Sequence, residues 1–142
     1  MAITYENVVF DRVIDSVHTI IVDEFNVPVY YDEHEGNQSF LITPSEDELE
    51  DSLVSGQVRN YTISISYELN MPGNYTKSSI KQVSSLTERL KRLLYNNRNY
   101  TVSGTNQFYN GIVNSVEYSR DDDNQSLLRS NTSFTCTSME LL

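Results

Sequence analysis

Apolar residues recur at Val9, Phe10, Val13, Ile14, Val17, Ile20, Ile21 and Phe25. At the helical 100° per residue they fill an arc of about 160°, the broad stripe of a helix packed on a core. Asp11, Arg12, Asp15, Thr19 and Asp23 fall outside that arc, so the spacing predicts an amphipathic helix over 5–25. Thr4 offers an N-cap, and Pro28 prevents the helix from running further. Residues 27–32 (VPVYYD) read as a short strand. The Gly36-Asn37 turn signal lets 39–43 (SFLIT) pair back on it as a hairpin.

Pro44 and the acidic run behind it are expected to break regular structure. Residues 45–56 fit either a solvated loop or a short helix, with Ser45 as cap and Glu48 at the capping-box position. The clearest strand spans 58–69. There Tyr61, Ile63, Ile65, Tyr67 and Leu69 alternate with Thr62, Ser64, Ser66 and Glu68, giving one face for a core and one for water or a partner. Asn70, Pro72 and Gly73 close it.

A second helix is predicted over 76–95. Ile80, Val83, Leu86, Leu90, Leu93 and Leu94 form its inward stripe; Lys77, Lys81, Arg89, Lys91 and Arg92 lie on the opposite arc, with Glu88 among them. Asn96-Asn97 ends it. Further on, 100–102 suggest a short strand. Residues 108–118 suggest another, with Ile112, Val116 and Tyr118 on one face and Val113 on the other. Asp121–Asn124 is the natural turn into a returning strand over 128–139, where Phe134 and Cys136 point one way and Asn131, Ser133, Thr135 and Thr137 the other. The order α-β-β-β-α-β-β predicts an α+β domain, a mostly antiparallel sheet with both amphipathic helices on one face. Residues 1–142 are expected to form a single domain with an acidic loop or insertion at about 44–57.

A chain of 142 residues buries roughly 68–70% of the surface its unfolded form exposes, so no disulfide or metal is needed to hold the core. Cys136 is the single cysteine, which precludes an intrachain disulfide and fits a reducing compartment. The start, MAITYENVVFDRVIDS, has neither the basic region nor the apolar run of a signal peptide, and no stretch reaches the ~20 apolar residues of a membrane span. A chain soluble in the cytoplasm where it is made, with no membrane partner, is the expectation. The six Asn-X-Ser/Thr sequons, at Asn37, Asn60, Asn74, Asn99, Asn124 and Asn131, then reflect a chain rich in Asn, Ser and Thr.

A net charge of −10 argues against ordinary nucleic-acid binding, because phosphates repel an acidic protein. The charge is segregated. Six of the ten basic residues fall within the 22 positions from Lys77 to Arg98, while acid gathers at Glu46, Asp47, Glu48, Glu50 and Asp51 and again at Asp121, Asp122 and Asp123. Solvated helix backs and solubility account for such a pattern. So does self-complementarity, in which a basic face on one copy meets an acidic segment on the next.

Chemistry-bearing clusters are sparse. His18 sits at the edge of the first helix's apolar arc, as half-buried filler. Asp32-Glu33-His34-Glu35-Gly36 holds ligand-type side chains, but neighbours in a turn point apart and no second cluster completes a shell. Asp121–Asn124 lacks the glycine and the distant bidentate Glu of a calcium loop. Cys136 lies among threonines with no basic neighbour in sequence, as a structural thiol does. No nucleophile elbow, phosphate loop or dinucleotide fingerprint occurs. The expectation is a non-enzyme with no cofactor and no metal.

The order of elements, namely an N-terminal amphipathic helix, a Val27–Tyr30 strand, the long 58–69 strand, a helix with the Leu86–Leu94 stripe and a 108–139 hairpin, resembles the tail-terminator and tail-completion proteins of long-tailed bacteriophages. The resemblance covers nearly the whole chain as an order of elements, without a diagnostic motif. It implies a virion structural protein: a hexameric ring that caps the head-proximal end of the tail tube and joins it to the neck. Its partners would be further copies of itself, the tail tube protein and a neck or connector protein, with genomic DNA passing through an acidic lumen without specific binding. Under that resemblance Glu46–Asp51 or Asp121–Asp123 are lumen-facing or partner-facing candidates, and Lys81, Arg89 and Arg92 are subunit-interface candidates. The 44–57 segment is longer than the family pattern suggests. Two other readings stay open: a head-completion or neck connector ring, and a small non-viral cytoplasmic adaptor for one partner.

Overall fold

The computed structural model describes residues 2–70, 77–121 and 127–141. The first helix opens as a π-helical segment, Val9–Ile14, and continues as α1, Asp15–Glu24. The strands are β1 (Val29–Tyr30), β2 (Gln38–Leu53), β3 (Gly56–Asn70), β4 (Tyr100–Val102), β5 (Thr105–Arg120) and β6 (Leu127–Leu141); α2, Lys77–Asn96, lies between β3 and β4. They form one sheet in the order β1-β2-β3-β6-β5-β4, antiparallel except at β1–β2. The α+β class and the order of helices and strands match the sequence pattern.

The first helix departs from the pattern at its start. Asn7 rather than Thr4 caps it: its Oδ1 accepts the Phe10 N–H at 3.4 Å and its carbonyl accepts the Asp11 N–H at 2.8 Å. Asp15 N–H donates to the Phe10 carbonyl, five residues back. The wider π turn re-phases the apolar residues, so Val8, Val13, Ile14 and Val17 are all buried while Phe10 is partly exposed against the Tyr31 ring at 5.2 Å.

The core lies between the helices and one sheet face. Tyr61, Ile63, Ile65, Tyr67 and Leu69 of β3 point into it as their alternation requires, beside Val83, Leu90 and Leu94 of α2 and Phe134 and Cys136 of β6. A run of rings, Phe25–Phe40 at 5.3 Å and Phe40–Tyr67 at 5.2 Å, ties the end of α1 to β2 and β3. Thr87 of α2, fully buried, donates to Ser130 Oγ of β6 at 2.8 Å. Ile80, at the start of the predicted inward stripe, is instead half exposed.

Three expectations are corrected. Residues 44–57 are not a loop or a short helix. β2 runs through Pro44 to Leu53 and pairs with β3 across the two-residue turn Val54-Ser55. Pro44 is tolerated because β1 covers β2 only at Phe40 and Leu41, so a missing N–H there breaks no ladder bond to β1. Register shifts between Pro44 and Glu46 and between Leu49 and Asp51 erase the period-two signal.

Secondly, β1 and β2 pair in parallel, Val29 with Phe40, so 39–43 do not fold back on 27–32 as a hairpin. Thirdly, Ile112, Val116 and Tyr118 do not share a face. Ile112 pairs with Thr135 and Val116 with Thr132, and the shift between Val113 and Ser115 exchanges the faces. Val113 packs against the core while Ile112 stays exposed. The short β4–β5 hairpin turns on Ser103 and Gly104, both at positive φ (52° and 80°), the backbone a tight two-residue turn needs.

Candidate functional site

The described surface offers four features: the basic back of α2, the acidic β2–β3 hairpin, a polar basin on the open sheet face, and an apolar groove beside α2.

The basic candidates fare differently. Arg89 is engaged within the chain: Nη2 donates to Glu24 Oε1 at 2.7 Å and to the Glu24 carbonyl at 3.0 Å, and the guanidinium lies 4.7 Å from the centre of the Phe25 ring. It is a strut joining α2 to the end of α1. Arg92 lies 5.9 Å from the Tyr95 ring, which Arg98 approaches at 4.6 Å on its own account. Arg92 and Lys81 both face solvent.

The acidic candidates separate in space. Glu46, Asp47, Glu48, Glu50 and Asp51 lie on the outer half of β2, every residue of which from Pro44 to Leu53 is exposed. Arg59 meets Asp47 at 3.0 Å and Asn60 meets Glu50 at 2.7 Å; Glu46, Glu48 and Asp51 are exposed. Exposed Leu49, Leu53 and Val54 stand among them. Asp121 follows β5, at the end of the sheet where Arg120 pairs with Leu128 and Leu128 with Leu69. The hairpin turn is at the other end, where Gly56 pairs with Leu141. Thirteen residues of β3 at about 3.3 Å each put roughly 40 Å between them, so the two acidic groups belong to different surfaces. Asp122 and Asp123 lie outside the described residues, as does Lys77's side chain.

The basin holds a histidine whose surroundings the sequence did not indicate. His34 Nδ1 is 2.7 Å from Ser39 Oγ, Nε2 is 3.0 Å from Ser66 Oγ, and Glu68 Oε2 is 4.0 Å from Nε2 while also pairing with Arg129. Burial depresses the imidazole pKa below its ordinary value; Glu68 opposes that and Arg129 adds to it. Ser39 and Ser66 are both buried, and Glu68 approaches the same ring nitrogen as Ser66. A nucleophile–base–acid series needs the carboxylate on the opposite nitrogen and an accessible hydroxyl. Here the imidazole instead pins the 31–37 segment to the open face. Its partners, Ser39, Ser66 and Glu68, are spread over β2 and β3, which is why adjacency in DEHEG gave no hint of them. Among the described residues, no group of three or more His, Cys, Asp and Glu side chains is placed to hold a metal ion. Cys136 is fully buried, which pushes its thiol up to about 12.

The groove is a cavity of about 450 Å³ between α2 and the Arg120 end of β5, walled by Ile80, Val83, Tyr118 and Leu128, with Arg120 and Arg129 on its lining. No single-sequence signal marked it, because Ile80 read as core and Tyr118 as a strand residue paired in phase with Ile112.

No protein-family model matches this chain, and no curated protein matches its sequence.

Proposed function

We propose that this protein is a structural subunit whose copies join head to tail in a closed ring, a tail terminator in the sense of the resemblance above. In that role the ring, hexameric in the family pattern, caps the head-proximal end of a tail tube and joins it to the neck. The observation that carries the reading is the β2–β3 hairpin. Its outer part has twelve consecutive exposed residues, Pro44–Ser55, apolar Leu49, Leu53 and Val54 among them, and an edge uncovered by β1 beyond Leu41. A strand that buries nothing of its own and leaves its edge open is a contact element, because an unguarded edge otherwise invites indiscriminate pairing. The acids along it act as the guard, admitting only a partner of opposite charge. Since the sheet ends differ, a contact between hairpin and opposite end is heterologous, the type that closes rings. The net charge of −10 suits a passage for DNA that must not adhere.

Light scattering on the purified protein, with negative-stain images of the main peak, tests this. A closed particle of about six copies with a central hole is expected. A monomer that also fails to bind the tips of purified tail tubes would end the ring reading. Binding at the neck side of the connector instead of the tube tip would reassign the ring to a neck component.

A further inference from the structure

The hairpin tip and the groove beside α2 are complementary in both polarity and charge, and they lie at opposite ends of the same sheet. The tip presents exposed Leu53 and Val54 flanked by Glu50 and Asp51. The groove presents half-exposed Ile80 and Tyr118 over buried Val83 and Leu128, with Arg120 on its lining and Lys81 exposed on the next position of α2. Arg129 also borders it, but its guanidinium is held by Glu68 on the open sheet face. Asp121 follows Arg120 but does not line the groove. A rigid sheet holds the two features roughly 40 Å apart, so no copy places its own tip in its own groove. We infer that the groove of each copy is the docking site for the β2–β3 hairpin tip of the next copy. Apolar Leu53 and Val54 fill the space under Tyr118, and the tip carboxylates meet Arg120 and Lys81.

Such a contact gives each half an occupant and uses a different patch on each partner. It also assigns the acidic hairpin to the joint between subunits rather than to a lumen. The inference rests on the ring reading for its biological setting, but the contact itself is testable apart from it. Exposure of both patches costs each copy little when alone, because single surface apolar residues are ordinary. Paired, they remove a contiguous apolar strip from water while opposite charges fix the register.

The test uses two variants of the whole chain. Val54→Cys combined with Ile80→Cys, treated with a short bismaleimide, is expected to give a ladder of multiply linked copies on a denaturing gel. Each single-cysteine variant gives at most dimers, and buried Cys136 stays silent. Leu53→Asp with Val54→Asp, at exposed positions, is expected to keep the wild-type circular dichroism and to lose assembly to a monomer. A ring-sized particle that persists in the Asp variant, or that gives no ladder, overturns the docking and leaves the ring to another interface. A ladder with masses that never close supports the docking and removes the closed ring. A wild-type monomer with no ladder overturns the docking outright.

Discussion

Replacing Gly111 by Ala measures how tightly β5 is pressed on the core. A methyl carbon built at Gly111 sits 2.7 Å from Phe134 Cζ, 3.0 Å from Phe134 Cε1 and 3.1 Å from the Arg98 Cα. Carbon atoms rest comfortably at about 3.5–4.0 Å, so something must move by close to an ångström. Phe134 has little room: it is fully buried and packs edge-on against Phe108 at 5.8 Å. The Arg98 backbone is held by its carbonyl accepting the Gly111 N–H at 2.9 Å. Overpacking of this kind costs about 1–3 kcal/mol. The expected loss for Gly111→Ala is therefore about 2 kcal/mol, or roughly 6–8 °C in Tm for a chain of this size. Urea unfolding followed by circular dichroism, with an unchanged m value, is the assay. Phe134→Leu withdraws the ring atoms, so the double variant should recover about 1 kcal/mol relative to the sum of the singles. The Arg98 contact explains why recovery stays partial. A Gly111→Ala protein within about 0.5 kcal/mol of wild type, or strictly additive singles, would refute the close approach.

Three further outcomes are expected. Arg89→Ala should cost about 1 kcal/mol in urea unfolding through its exposed ion pair and its ring contact with Phe25, whereas Arg92→Ala should stay within about 0.5 kcal/mol; equal effects would deny the strut. Thr132 is buried and its hydroxyl finds no partner among the described residues, so Thr132→Val should stabilise the fold by about 1 kcal/mol, since the hydroxyl forfeits its hydration for nothing; destabilisation by that amount would mean the hydroxyl is in use. His34 is depressed when folded, so the unfolded chain takes up its proton first as pH falls below about 6.5, and stability should drop there. His34→Gln should flatten the Tm-against-pH curve between about pH 7 and 5, and parallel curves for the two proteins would exclude that origin.

The helices and β3 were legible because burial imposes a period. Every inward position of β3 from Tyr61 to Leu69 is in the core, and the α2 stripe is buried at Val83, Leu90 and Leu94. Where no core enforces alternation, the signal failed. The outer half of β2 contacts solvent throughout, so its acids carried the signature of a loop. Bulges did the remaining damage: the slip at Val113–Ser115 carries Val116 and Tyr118 to the helix-covered face and leaves Ile112 outside. The parallel β1–β2 pairing spans only two residues, too few for any pattern. Of the candidate site residues, charge segregation was readable, but which charges are spent inside the chain was not. Arg89 finds Glu24 across 65 positions, and His34 finds Ser66 across 32.

The sheet order has a kinetic consequence. β6 follows every other strand in the chain, yet it lies in the middle of the sheet, between β3 and β5. Until it is inserted, β3 keeps one flank open and β5 has only the three residues of β4 beside it. The β2–β3 hairpin is local and closes early, while the β3–β6 ladder joins residues as far apart as Gly56 and Leu141 and carries the loop-closure cost. Folding on the ribosome therefore waits with two unsatisfied strand edges, and a core that still lacks Leu128, Phe134 and Cys136, until β6 emerges. In crowded synthesis of many copies, that interval is when neighbouring nascent chains are most exposed to mispairing.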